Sequence, residues 1–410
     1  MTNATRRAAV GAGLSLAALF AASGAFAQQG ELKLGAVNPS SGALALFGDE
    51  LTRGYEIAAE QQNAKGGLLG KKVVIVRGNA SSPQEGIAAV EQFVSRDKVD
   101  ALIGTYISAV ANAASEAALN YGKLYWDTNA LAQELVERGL PNYIRSAPSA
   151  KVFAEKSAET ALILAGKTIG KQPKDLKIWI EHEDTIYGTS IAKEQERDLK
   201  AAGAQVVGVG AHNFKSIDLT DSILRAKNAA PDVWMQTGYI PDTNLLLRTA
   251  RDQGFKPSAM ITVGTGDTNE TLDSLGKESL EGILVVSYPR YDMSPAYGPG
   301  AKEFLEAYRA KFNRDPLAPQ TMAAYVGAKF MFRAIEAAKS VEYEKVREAA
   351  AKMDVPLMSS ETGFGLKFND QMQNTRAFPV TAQWQDGRMV TVFPAEAVNA
   401  GGKLVPLARK

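Results

Sequence analysis

The chain has 410 residues, 45% of them hydrophobic and 22% charged, with 46 basic against 45 acidic side chains. A formal net charge of +1 gives no electrostatic basis for binding nucleic acid or an anionic membrane. Cysteine is absent, which excludes disulfides and thiolate chemistry, and the length suits two lobes better than one domain.

In chain order, Arg6 and Arg7 precede an almost wholly apolar run from 8 to 22, closed by the small-x-small triplet Ala25–Phe26–Ala27. The run is shorter than the roughly 18 to 20 residues that span a bilayer. Residues 1–27 are therefore expected to be an export signal, by either the general or the twin-arginine route, with a mature chain from Gln28. Strand and helix patterns then alternate. LKLGAV, VVIVRG, DALIGT and KLYWDT read as strands, each followed by an Ala-rich helical stretch, at 49–64, 84–95, 108–121 and 130–138. The pattern restarts with LKIWIE, AQVVGVG, PDVWMQTG, SAMITVG and EGILVVSY, separated by helices near 187–202, 217–228 and 241–254. Such alternation implies parallel sheets covered by helices, an α/β class. Long helices are expected again at 300–313 and 319–339. FPVTAQWQDGRMVTVF reads as a hairpin with Asp386–Gly387 as a type I′ turn. Crossings between lobes are expected near 142–151, after EGILVVSYPRY, and near 356–362. The lobes are expected at 28–147 with 288–357 and at 148–287 with 358–398, followed by a tail at 399–410.

A search for catalysis finds little. The only histidines are His182 and His212. His182 sits in EHED on a strand end, where neighbouring acids alternate in direction instead of converging on an ion, so no metal is expected. AGKT at 165–168 lacks the earlier glycine of a P-loop, GVGAHN and GTGDTN lack the third glycine of a dinucleotide fingerprint, and no G-x-S-x-G elbow occurs. A Ser-His-acid triad would have to use one of two histidines with no supporting motif. No cofactor is expected.

Binding groups are more evident. Strands end in Ser40–Ser41, Thr105–Tyr106–Ile107–Ser108, Asp127–Thr128–Asn129, Tyr187, Tyr239 and Thr265–Gly266–Asp267. In open α/β sheets, ligands collect outside the carboxyl ends of strands. Each residue also has a plainer reading as a helix cap or turn, Ser108 included. The stretch NPSSGALALFGDELTRGYEIAAEQQNAKGG leaves the first strand through a loop of small residues. It reads as a pocket lip, with Phe47 turned inward and the acidic pair Asp49–Glu50 suited to the positive end of a helix.

These segments, taken in order, resemble the periplasmic solute-binding proteins of the branched-chain amino acid type, whose prototype is the Leu/Ile/Val-binding protein. Ser41–Gly42, Phe47–Gly48, NAKGGLLGKKV, ALIGTYISAVANAASEAA, GLPNYIRSAP, IYGTSIA, DVWMQTGYIPDTNLLLRTARDQG and EGILVVSYPRYD carry the resemblance across the mature chain. It implies two Rossmann-like lobes joined by a three-crossover hinge. They would close on a small solute and deliver it to an ABC transporter permease, with the protein a monomer and no enzyme. It further implies that Ser108 holds a ligand carboxylate, that Phe47 lines the pocket, and that Tyr187 and Tyr239 cover it. Two departures stand out. Leu131 replaces a threonine of the carboxylate and ammonium region, and Thr265 replaces the glutamate that pairs the ammonium. The family's cysteine pair is replaced by Ser81 and Ile107.

A buried ammonium without an anion is costly. Either Asp267 or Asp127 substitutes for the missing acid, or the solute carries no ammonium. The expected ligand-binding set is therefore Ser41, Phe47, Thr105, Tyr106, Ser108, Asp127, Asn129, Tyr187, Tyr239, Thr265 and Asp267. Trp126 belongs equally to an aromatic pocket or to the core. The solute class expected is amino acid-like, an amide, or a small or aromatic carboxylate. A sensor or chemoreceptor module is the alternative, and an exported hydrolase a further one that would need His182 or His212.

Overall fold

A computed structural model describes residues 30–406; the expected export signal and the last residues of the tail lie outside it. Five parallel strands form the first sheet: β1 (Glu31–Val37), β2 (Lys72–Arg77), β3 (Ala101–Gly104), β4 (Tyr125–Asp127) and β5 (Tyr143–Arg145), in the order β2-β1-β3-β4-β5. The second sheet contains β6 (Lys177–Glu183), β7 (Gln205–His212), β8 (Val233–Thr237), β9 (Ala259–Val263), β10 (Leu284–Ser287), β11 (Val380–Gln385) and β12 (Arg388–Phe393). Its order is β12-β11-β10-β9-β8-β6-β7, parallel except for the closing pair β11 and β12. Strands covered on both faces read as apolar runs, and β3, β8 and β10 are buried throughout. Asp386 and Gly387 both have positive φ, 47° and 73°, as a type I′ turn between β11 and β12 requires.

The chain passes from the first sheet to the second after β5, into helix Ala150–Glu159, and returns after β10 to helix Ala301–Phe312. Helices Gln320–Ala338 and Ala45–Asn63 then pack together, and Gly54 makes this close: a Cβ there would stand 2.4 Å from the Thr321 carbonyl oxygen. The third passage corrects the expectation of 356–362. The Arg145 N–H donates to Met372 O and the Asn374 N–H to Arg145 O, so this segment extends the edge of the first sheet and the crossing falls between 374 and 380.

Further differences have local causes. Tyr143–Arg145, expected to lie in the irregular join, forms β5 on the sheet edge. Of the stretch 130–138 only Glu134–Glu137 is helical, because the preceding residues wrap around Asp127. The first long helix begins at Ala45, so Asp49 and Glu50 lie past its first turn and do not sit at its positive end. Asp49 instead pairs with Arg77 at 3.1 Å. Glu50 is fully buried and gathers Arg53, Arg314, the hydroxyls of Tyr308 and Thr321 and the Leu317 N–H, tying the helix to the returning segments.

Candidate solute-binding site

The carboxyl ends of both sheets face one another, as the parallel order dictates. Between them lies a cavity of about 20 Å³. That is room for one or two waters, the lobes being closed on each other. Tyr106, Asn129, Leu131 and Gln320 line it on one side; Tyr187, Tyr239, Gly264 and Tyr288 complete the wall. Tyr106 follows β3, Asn129 and Leu131 follow β4, and Gln320 opens helix Gln320–Ala338. On the second lobe Tyr187 and Tyr239 stand at helix starts after β6 and β8, Gly264 follows β9, and Tyr288 follows β10.

Ring contacts set the wall. Phe47 stacks on Tyr106 at 4.4 Å with planes 6° apart, so it braces that ring from behind instead of lining the cavity. Tyr106 meets Tyr239 across the cleft at 5.8 Å, and Tyr239 in turn meets Tyr187 at 5.3 Å and Phe214 at 4.9 Å. Gly264 has φ +71°, and a Cβ there would come within 2.1 Å of the Tyr187 hydroxyl, so only glycine admits that phenol. The Tyr187 hydroxyl donates to Val263 O, and the Tyr288 hydroxyl to Asn129 O at 2.8 Å. Among the described residues, the Tyr239 hydroxyl and the Gln320 side-chain oxygen are buried with no partner within hydrogen-bonding geometry. Burial, and then the nearby acids and phenols, push Tyr106, Tyr187 and Tyr239 far above the ordinary phenol range; burial does the same to Tyr288, so all four stay neutral.

Several expected residues stand elsewhere. Asp127 is committed to its own loop: one oxygen accepts the N–H groups of Asn129 and Ala130, and the other accepts the Tyr143 hydroxyl at 3.0 Å. Burial pushes its carboxyl up to about 6 against those bonds. The Ser108 hydroxyl oxygen accepts the N–H groups of Leu131 and Ala132, both at 3.2 Å, and so shapes the wall without lining it. Thr105 pairs with the Tyr125 hydroxyl. Thr265 turns away, donating to the Thr243 hydroxyl at 3.0 Å. Trp126 is a core residue bonded to Ser146 and edge-on to Phe368.

Asp267 is buried behind the wall, with one oxygen held by Ser287 and the other without a partner among the described residues. Burial raises its carboxyl, partly offset by Arg290. Ser41 is exposed in a wider opening outside the tyrosines, 3.4 Å from Ser81.

Direct bonds hold the lobes together. Ser190, on helix Ile186–Ala201, donates to Glu134 at 2.6 Å and accepts the Gln133 N–H at 3.2 Å. Residues that sequence reasoning missed are Gln320, Tyr288 and Gly264. Leu131, a loss of polarity against the family pattern, also forms part of the wall.

The periplasmic binding protein family profile matches residues 31–388. The chain belongs to the periplasmic binding proteins. A relative in Brucella suis, Leu/Ile/Val-binding protein homolog 7, is 38% identical over 94% of this chain and 96% of its own. Homolog 8 from the same organism is 37% identical over 95% and 96%. The fold agrees. The substrate-binding protein LivJ of Streptococcus pneumoniae, in complex with isoleucine, superposes with a TM-score of 0.74 at 19% identity, covering 88% of this chain and 99% of that one. A solute-binding protein of an R. palustris ABC transporter, in complex with 4-hydroxybenzoate, does so with 0.76 at 20% identity, covering 88% and 95%. The family is one of substrate-binding proteins, and its two-lobe architecture suits a ligand trap.

Proposed function

We propose that this periplasmic binding protein holds a small solute in the cavity between its lobes and presents the closed form to the permease of an ABC importer. It acts as a monomer in the periplasm and leaves the solute chemically unchanged. A solute that touches both walls favours the closed form over the open one, and closure is the signal passed on.

The uncharged wall supports one class of solute above the others. Every lining residue is neutral, and the two unpartnered atoms, the Tyr239 hydroxyl and the Gln320 oxygen, call for an acceptor and a donor. An amide supplies both. A small or aromatic acid bound through phenol donors is the next fit. A leucine-like zwitterion would bury its ammonium without an acid on the wall, at a cost of several kcal/mol.

The test is a thermal-shift screen of the chain from Gln28 with amides, urea, aromatic and aliphatic acids, and amino acids. A true solute at a hundredfold excess over Kd adds about 2.7 kcal/mol of stability. A hit among amides or acids is expected. Nanomolar leucine binding would overturn the solute class, and conversion of a bound solute would overturn the non-catalytic role.

A further inference from the structure

Outside the tyrosines the cleft widens into an opening of about 480 Å³, within the usual size of small-molecule sites. Leu44 and Ile107 form its first-lobe wall, and Phe214, Ile217 and Pro241 form the second-lobe wall. Ile217 is 95% exposed at the rim. Among the described residues, Lys215 is the only charged one on the lining. Its ammonium lies 5.4 Å from the centre of the Phe214 ring and enters no ion pair among the described residues.

We propose that this opening is an outer solute site for small carboxylic acids with an apolar body, distinct from the inner cavity. A phenyl or short alkyl group lies between Leu44 and Ile107 on one lobe and Phe214 and Pro241 on the other. The carboxylate meets Lys215. An apolar guest without charge would desolvate that ammonium with no compensation, and a cation would be repelled by it. An amino acid would bring an ammonium to a lining that holds no acid. Because both lobes contribute walls, an acid seated here favours closure. Phe214 contacts Tyr239 directly, so the outer site adjoins the inner one through a single layer of rings.

The experiment is calorimetric titration of the mature chain with benzoate, hexanoate and the neutral benzamide at low ionic strength. The variants are Lys215→Gln and Ile217→Glu. Both side chains are exposed, so the unliganded melting midpoints should match wild type, which verifies folding. Wild type should bind both acids, and each variant should bind them about threefold or more weakly. Added salt should shrink the difference for Lys215→Gln. Equal binding of the acids by wild type and both variants would place them away from this opening and overturn the outer site, leaving the transport reading intact. No binding of either acid would also overturn it, whatever amide the inner cavity takes.

Discussion

His212, the last residue of β7, offers the sharpest test of the electrostatics beside the site. Its Nδ1 lies 3.1 Å from Glu181 and its Nε2 lies 2.9 Å from Asp242, all three side chains being buried. Asp242 also accepts the Tyr239 N–H at 2.9 Å, so the imidazole secures the start of the helix that carries a wall tyrosine. Burial alone would lower the imidazole, but hydrogen bonds to Asp242 and Glu181 outweigh it and push the group from 6.5 up to about 9. A raised value means that the folded state holds its proton longer than the unfolded chain does. The stabilisation is therefore complete below pH 6.5 and is lost as pH rises through about 9. At about 1.4 kcal/mol per pH unit, the whole window is worth about 3 kcal/mol. Asp127, moved from 3.8 to about 6, titrates below this window. Urea unfolding from pH 6 to 9.5 should show a falling midpoint in wild type. In His212→Gln the stability should be lower throughout and the slope should largely vanish. A flat wild-type profile, or an equal slope in the variant, would refute the ion-pair assignment.

Other perturbations follow from the packing. Glu50→Ala removes the fully buried acceptor shared by two partly exposed arginines, two hydroxyls and a backbone N–H; denaturant unfolding should report a loss of about 2 to 3 kcal/mol. Ser190→Ala removes the bond to Glu134 that holds the closed lobes. It should weaken solute affinity up to about tenfold and raise the unliganded radius of gyration in small-angle scattering. Tyr239→Phe deletes a buried hydroxyl with no partner, so the melting midpoint should hold or rise. The affinity for an amide solute should fall about tenfold, and an unchanged affinity would remove that hydroxyl from the solute contacts.

Local pattern explains what was legible in the sequence and what was not. Both sheets could be read because β3, β8 and β10 are buried runs and because Asp386–Gly387 closes its hairpin with the turn chemistry expected. Tyr106, Asn129, Tyr187 and Tyr239 could be found because each follows a parallel strand, where that architecture places its ligands. The same rule could not separate a wall residue from one beneath the wall. Ser108, Asp127 and Thr265 also follow strands, yet their polar atoms serve backbone N–H groups or a neighbouring hydroxyl. A small polar group at a strand end has two outlets, the loop and the ligand, and only the turn geometry decides between them.

Gln320 escaped for the opposite reason. It opens a long apolar helix that reads as core, and it reaches the cavity because helix Gln320–Ala338 packs against Ala45–Asn63 after the chain has crossed the hinge twice. Tyr288 likewise stands one residue past β10, where the chain leaves the second sheet. Residues at such crossings join the wall where the two lobes meet. A solute bonded to Gln320 and Tyr239, as proposed above, would bridge the returning first-lobe helix to the second-lobe sheet. Closure energy would then depend on polar atoms that both lobes leave unsatisfied among the described residues.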